Sequence, residues 1–157
     1  MKNNTNWNGF FEITITDRDN LEEKIFIKND IHNIGKKMIK DVLKGTITDG
    51  KIKYLALGNS TSSITLSDTQ LGNEIFRKAI TTYTDNSDFE LYTTTNILDT
   101  EANGQIEEIA IFAGSTASAT TNSGIMLSRV LWSYTKTSAN SILIKRIDTI
   151  SGSSGLG

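Results

Sequence analysis

Apolar and polar residues alternate along two early segments of the chain, as they do in half-buried β-strands. In residues 11–16 the odd-numbered positions are apolar and the even-numbered ones are polar. Residues 24–28 repeat the alternation, with isoleucine at both odd positions. The cluster Asp17-Arg-Asp-Asn between the two segments consists of residue types that favour turns. The pattern therefore predicts an antiparallel hairpin.

A long helix is predicted at residues 31–44, where apolar residues recur at three- and four-residue spacing. We expect Asn29 or Asp30 to cap its start, and Gly45 stands where a left-handed residue ends a helix. The lysines on its other side are interpreted as a solvated face and not as a phosphate site. The apolar stripe is expected to pack on a sheet, and it consists of Ile31, Ile34, Met38, Ile39, Val42 and Leu43.

The remainder of the chain has the pattern of strands joined by polar loops. Residues 52–57 are apolar on both faces, which favours a central strand. Residues 77–84 and 89–95 are predicted to be strands around a polar turn, and the strands 125–135 and 141–150 close the domain.

Asn103-Gly104 is the strongest hairpin signal, because a type I′ turn needs positive φ at both central positions. It predicts a hairpin that joins residues 96–101 to a strand at 105–113. No alternation of long helices with strands follows Gly45, which disfavours a parallel α/β sheet.

The expected fold class is mainly β (α+β), an antiparallel β-sandwich with one amphipathic helix near the N-terminus. Residues 1–150 are predicted to form this single domain, and residues 151–157 a flexible C-terminal tail. Residues 1–8 or the small polar loop 114–124 are expected to become ordered only against another subunit.

The composition excludes some kinds of binding site and gives no indication of others. The chain has a net charge of −2, no cysteine and no proline. Near-neutral charge gives no indication of nucleic-acid binding, and the lack of cysteine excludes disulfides and thiolate metal sites. Without a signal peptide or an apolar span, we expect synthesis in the cytoplasm and no membrane partner. The single histidine, His32, is interpreted as a surface or partly buried structural residue. No catalytic residue, cofactor or metal site is predicted.

Four motifs follow one another between residues 52 and 150: LALGNSTSSITLSDTQLGNEIFRK, EANGQIEEIAIF, a Gly/Ser loop, and GIMLSRVLWSYTKTSANSILIKRI. Their order resembles a class of small structural proteins of bacteriophage tails and phage-tail-like particles, found around baseplates and tail fibres. The N-terminal hairpin and helix are covered less firmly. The resemblance implies a virion component, made in a bacterial cytoplasm, that assembles with copies of itself and with other tail or baseplate proteins and has no enzymatic activity.

The motif residues also have structural interpretations, which we prefer. Glu74 and Arg77 lie three positions apart and could pair on one helical turn. Arg129 has apolar neighbours and would need an acidic partner if buried. Glu74, Glu101 and Glu107 are the candidate partners. The residues predicted to matter for structure or assembly are Glu74, Arg77, Glu101, Asn103, Gly104 and Arg129.

Two other functions stay open. A module that recognises a host-surface glycan could stack sugars on exposed aromatic residues such as Trp7, Trp132 or Tyr134. A glycan-cleaving tail enzyme would need two carboxylates facing each other across a cleft. The acidic residues around Glu101 and Glu107 have no spacing that singles out such a pair.

Overall fold

The computed structural model of the chain describes residues 5–152. Within that range two β-sheets pack face to face, with one helix beside them. The elements in chain order are β1 (Thr5–Thr16), β2 (Glu22–Asn29), α1 (Asn33–Leu43), β3 (Ile52–Gly58), β4 (Glu74–Ala79), β5 (Thr82–Ser87), β6 (Glu90–Ile97), β7 (Gly104–Ala113), β8 (Ile125–Lys136) and β9 (Ser141–Gly152).

The five-stranded sheet has the order β2-β1-β9-β6-β5, and the four-stranded sheet has the order β4-β3-β7-β8. All paired strands are antiparallel. The predicted fold class, a mainly β sandwich with one helix near the N-terminus, is therefore confirmed. The hairpin of β1 and β2 and the central position of β3 are also as predicted. Residues 5–8 and 151–152 of the predicted flexible ends belong instead to β1 and β9, which pair there, whereas residues 1–4 and 153–157 lie outside the described residues.

The main core lies between the sheets, because alternate residues of each strand face inward. Phe11 and Ile13 of β1 are fully buried there together with Leu57 of β3 and Ile109 of β7. Burial of each such side chain stabilises the fold by about 1.5–3 kcal/mol.

A second apolar cluster lies on the outer face of the four-stranded sheet. Two loops, 59–73 and 114–124, cover this face. Leu71 comes from the first loop and Ala117 from the second, and both are buried. The sheet residues that they cover are Ala56, Ala110, Phe112 and Met126. The loops therefore form a third layer of the fold.

The predicted strand 77–84 is in fact two strands in different sheets. The backbone N–H of Ile80 donates to Lys53 in the four-stranded sheet, and that of Thr81 donates to Thr94 in the five-stranded sheet. The chain thus changes sheets at a single peptide. The residues on both sides of this corner are compatible with a strand, so the sequence pattern does not reveal the change of sheet.

The Asn103-Gly104 hairpin prediction is wrong. β6 pairs with β5 and β9, whereas β7 pairs with β3 and β8, so residues 98–103 connect the two sheets. Positive φ occurs at Ala102 and Gly104, at 51° and 131°, and not at both residues of a two-residue turn. Gly104 is needed for its positive φ, as expected. It lies, however, at the end of a connection between the two sheets and not in a hairpin turn.

The helix is rotated relative to the predicted stripe. Gly35 and Met38 are buried, whereas Leu43 is 84% exposed. A side chain on Gly35 would meet the backbone of Leu127 in β8 at 3.2 Å, so the glycine lets the helix approach that strand closely. The expectation that Leu43 packs on a sheet is therefore wrong.

The helix ends also differ from expectation. Neither Asn29 nor Asp30 is the N-cap, which is His32 without a side-chain cap. Gly45 has the predicted left-handed conformation, with φ of 78°. Within residues 5–152, no helix is long and apolar enough to cross a membrane.

Candidate functional site

Arg129 is buried on the outer face of the four-stranded sheet, beneath loop 59–73. Its Nε donates to Oε2 of Glu108 at 2.6 Å, and its Nη1 donates to Oδ2 of Asp68 at 3.0 Å. Its remaining hydrogen bonds go to the carbonyl oxygens of Ser62 and Ser63 and to the Ser62 hydroxyl. The prediction that a buried Arg129 has an acidic partner is confirmed. The partners are Glu108 and Asp68, and none of the three candidates proposed from the sequence is among them.

Glu108 holds the same loop through its backbone. The carboxylate accepts hydrogen bonds from the N–H groups of Ser60, Gly72 and Asn73 at 2.9–3.3 Å. Gly58 permits this approach, because a side chain there would collide with the Glu108 carboxylate and with the Asn73 carbonyl. Glu108 is fully buried, and its negative charge is met by Arg129 and these donors.

Asp68 also belongs to this arrangement, which we call the Arg129 clamp (Asp68, Glu108 and Arg129). Burial raises the pKa of Asp68, but hydrogen bonds from Thr65 and from Arg129 lower it more, so the pKa lies below its usual value. The carboxylate therefore stays charged at neutral pH.

Glu74 and Arg77 form a second clamp, on β4, which we call the Arg77 clamp. Two parallel hydrogen bonds of 2.6 and 2.9 Å join the guanidinium to the carboxylate, and both side chains are buried. The predicted pairing is correct, but its predicted setting on a helical turn is wrong. Gly58 pairs with Glu74 and Leu57 with Phe76, so a β-bulge between them puts residues three apart on one face.

The Arg77 clamp fixes loop 114–124 on the sheet. Arg77 Nη1 donates to the carbonyl oxygens of Ser118 and Ser123, and the Asn122 N–H donates to Glu74. The guanidinium also lies 4.2 Å from the ring centre of Phe112. The expectation that this loop is ordered only by another subunit is therefore wrong, because its own chain holds it.

Glu101 and Asn103 lie in the sheet-to-sheet crossover, away from both clamps. Lys78 Nζ donates to Glu101 at 2.6 Å, and Lys136 Nζ donates to Oδ1 of Asn103 at 3.1 Å. The hydrogen bond from Lys78 lowers the pKa of Glu101. Burial lowers the pKa of the Lys136 ammonium. Gly104 begins β7 directly after this anchored crossover.

His32 is more deeply buried than expected. Its backbone N–H donates to the Leu127 carbonyl, and its ring Nδ1 lies 3.2 Å from the carbonyl oxygen of Asp68. The side chain is 1% exposed. It therefore joins the start of α1 to loop 59–73 as a structural residue.

An ion pair that the sequence did not predict lies inside the sandwich. Arg146 donates from Nε and Nη2 to Oδ1 of Asp148, at 3.1 and 2.8 Å, and reaches across to Ser128 in the other sheet. Trp7 Nε1 donates to the same carboxylate oxygen at 2.7 Å. The available signal was the alternation in β9, where residues 142 and 144 are buried isoleucines and residues 146 and 148 continue the same face.

A groove of about 940 Å³, which we call the end groove, opens at the end of the sandwich near Trp7. Residues from the start of β1, the β5–β6 turn, the start of α1 and loop 59–73 line it. Its apolar lining residues include Trp7, Phe89 and Ile150, and Phe89 is 69% exposed. The carboxylates among its lining residues are those of Asp30, Asp85, Asp88, Glu90 and Asp148.

The other two aromatic candidates belong to the sandwich. Trp132 is buried, and its ring stacks on that of Tyr134 with centres 5.1 Å apart. A register shift in β7 puts Glu107 and Glu108 side by side on the outer face of the four-stranded sheet, so these neighbours do not face each other across a cleft. Within residues 5–152, no group of three or more His, Asp or Glu residues is arranged to hold a metal ion.

No protein-family model matches the chain, and neither a curated protein nor a solved structure matches it significantly. The likeness to phage-tail components therefore remains a prediction from the sequence motifs.

Proposed function

We propose that the chain is a non-enzymatic structural component of a phage tail or phage-tail-like particle, in the baseplate or tail-fibre region. In this role it assembles with copies of itself and with neighbouring tail proteins. Two observations support the proposal: the motif resemblance, and the structural role of the residues within those motifs. Glu74, Arg77 and Arg129 bind loops of their own chain, as expected of residues that shape a scaffold.

The observation that carries the proposal is the exposed outer face of the five-stranded sheet. Phe10, Ile147 and Tyr92 lie side by side on three adjacent strands of that face. Phe26 and Leu143 lie on the same face beside and beyond a salt bridge between β1 and β9, and both are exposed. We call these five residues the open face. Contiguous exposed apolar surface marks sites of protein association.

The experiment is co-sedimentation of the chain with particles when it is expressed with the products of its neighbouring genes. Because Phe10 and Leu143 are only 36% and 39% exposed, we expect Phe10→Ser with Leu143→Ser to lower the thermal midpoint moderately, to leave the chain folded, and to lower incorporation at least about tenfold. Leu43→Ser, which alters an equally apolar but isolated exposed residue, is the control and should incorporate normally. If the wild-type chain sediments with no particle, or if its neighbouring genes encode metabolic enzymes, the proposal is wrong.

A module that binds host-surface glycan is the second candidate, because Trp7 lines an open groove together with Asn6 and Asn8. Such a groove offers an aromatic surface and amide groups to a sugar. Glycan-array binding that Trp7→Ala abolishes would favour this function over assembly alone.

A further inference from the structure

The end groove combines an apolar floor with an acidic rim. Asp30, Asp85 and Asp88 line it, and within residues 5–152 none of them forms a salt bridge. Lys36 is the one cation among its described lining residues. Glu90 accepts hydrogen bonds from Thr149 and Asn86, which lower its pKa and keep it charged. The chemistry of the groove fits an apolar side chain flanked by positive charges.

The same chain presents that chemistry on the edge strand β2. Phe26 is 64% exposed, and Lys24 and Lys28 flank it on the same side of the strand. Lys28 forms no salt bridge in the described part of the chain, and the Lys24 ammonium is 3.8 Å from Glu12. A phenylalanine this exposed buries little apolar surface in its own copy.

The groove and this strand cannot meet within one copy. Trp7 alternates with Asn8 along β1, so it shares the inward face with Phe11. Phe26 pairs with Glu12, whose side chain points to the outward face. The two surfaces therefore lie on opposite faces of the five-stranded sheet, and contact between them requires a second copy.

We propose that the end groove of one copy binds the Lys24–Phe26–Lys28 face of β2 in the next copy. The inference rests on the proposed assembly function and identifies the contact between copies. Because the two surfaces differ, the contact is heterologous, and its repetition gives a ring if the rotation closes or a filament if it does not. The opposite charges also make the association weaken as salt concentration rises.

Two variants test the contact on purified full-length chain. The groove variant carries Asp88→Lys and Phe89→Ser, and the strand variant carries Phe26→Ser and Lys28→Glu. All four positions are exposed, so both variants should keep the wild-type thermal midpoint. Leu43→Ser is the control, because it removes a more exposed apolar side chain away from both surfaces.

Analytical ultracentrifugation gives the decisive result. We expect wild type and Leu43→Ser to form oligomers, and each double variant alone to be monomeric at the same concentration. An equimolar mixture of the two variants should form a dimer and nothing larger, since it retains one intact groove and one intact strand.

Three outcomes would overturn the inference: a monomeric wild type at the highest concentration reached, double variants that associate like wild type, or a mixture that stays monomeric. Binding of a host glycan that is lost in the groove variant, with self-association unchanged, would assign the groove to the glycan instead. Co-sedimentation of the wild-type chain with particles tests the proposed function separately, because a chain that is monomeric alone can still be incorporated through a different tail protein.

Discussion

Replacement of Arg129 by methionine should destabilise the protein strongly, because it leaves the Glu108 carboxylate buried without its positive partner. Glu108 is fully buried, and its Oε2 lies 2.6 Å from Arg129 Nε. Removal of one partner from a buried ion pair costs about 3–5 kcal/mol of unfolding free energy. Glu108 still accepts three backbone hydrogen bonds in the variant, so the lower end of that range, about 3 kcal/mol, is expected.

Thermal unfolding measures this cost. In a chain of this length 1 kcal/mol corresponds to about 2–4 °C, so Arg129→Met should lower the midpoint by about 6–12 °C. The matched control is Lys145→Met, which removes a cation from a partly exposed pair with Glu12 at 3.5 Å. Such a pair contributes at most about 1 kcal/mol. A midpoint of Arg129→Met within about 2 °C of the control would refute the reasoning.

The double variant Glu108→Leu with Arg129→Met separates charge pairing from loop anchoring. It removes both buried charges, so its cost should be smaller than the sum of the single costs. It also removes the acceptor for the N–H groups of Ser60, Gly72 and Asn73. Hydrogen exchange at those amides should therefore be faster than in Arg129→Met. Additive costs and unchanged exchange would show that the clamp does not act as a unit.

Two further predictions concern the helix and the pH dependence of stability. Leu43→Ala should change the unfolding free energy by less than about 0.5 kcal/mol, since Leu43 is exposed, whereas Met38→Ala should cost about 2–5 kcal/mol; chemical denaturation measures both. The pKa of Glu101 is lowered below 4.5 by Lys78, so the unfolded state binds its proton first as the pH falls. The free energy of unfolding should therefore decrease as the pH falls below about 4.5, and it should decrease less in Glu101→Gln. The thermal midpoint of both proteins, measured as a function of pH, tests this.

The strands could be predicted because the pattern of apolar and polar residues within each segment indicates a strand without reference to the rest of the chain. The alternation in β1 and the two-sided apolar run in β3 depend only on neighbouring residues. The corner at Ile80 and the crossover at Asn103 could not be predicted, because strand partners are chosen by packing between distant segments. Gly35 misled the helix prediction, since an absent side chain carries no weight in a hydrophobic pattern yet sets the face that approaches β8.

The partners of the buried charges were the hardest part of the site to predict. Arg129 could be singled out from its apolar neighbours and Arg77 from its spacing to Glu74, but the sequence separation between Arg129 and Asp68 is 61 residues. Only the three-dimensional structure brings such residues together. Glu108 gave no signal of its own, because the adjacent Glu107 allows either residue to be read as the outward one.

The two outer faces of the sandwich differ in whether loops of the chain cover them. This difference predicts which substitutions affect stability and which affect the proposed assembly. On the four-stranded sheet the Arg129 clamp and the Arg77 clamp hold loops over the apolar residues, so substitutions there should act on stability. On the five-stranded sheet Phe26, Leu143 and Phe10 of the open face are exposed, and Tyr92 and Ile147 are half-buried. Phe26 is the open-face residue whose substitution removes the least buried area, so it should change stability least and act mainly on association. The chain covers one face with its own loops, and the proposed assembly would use the other.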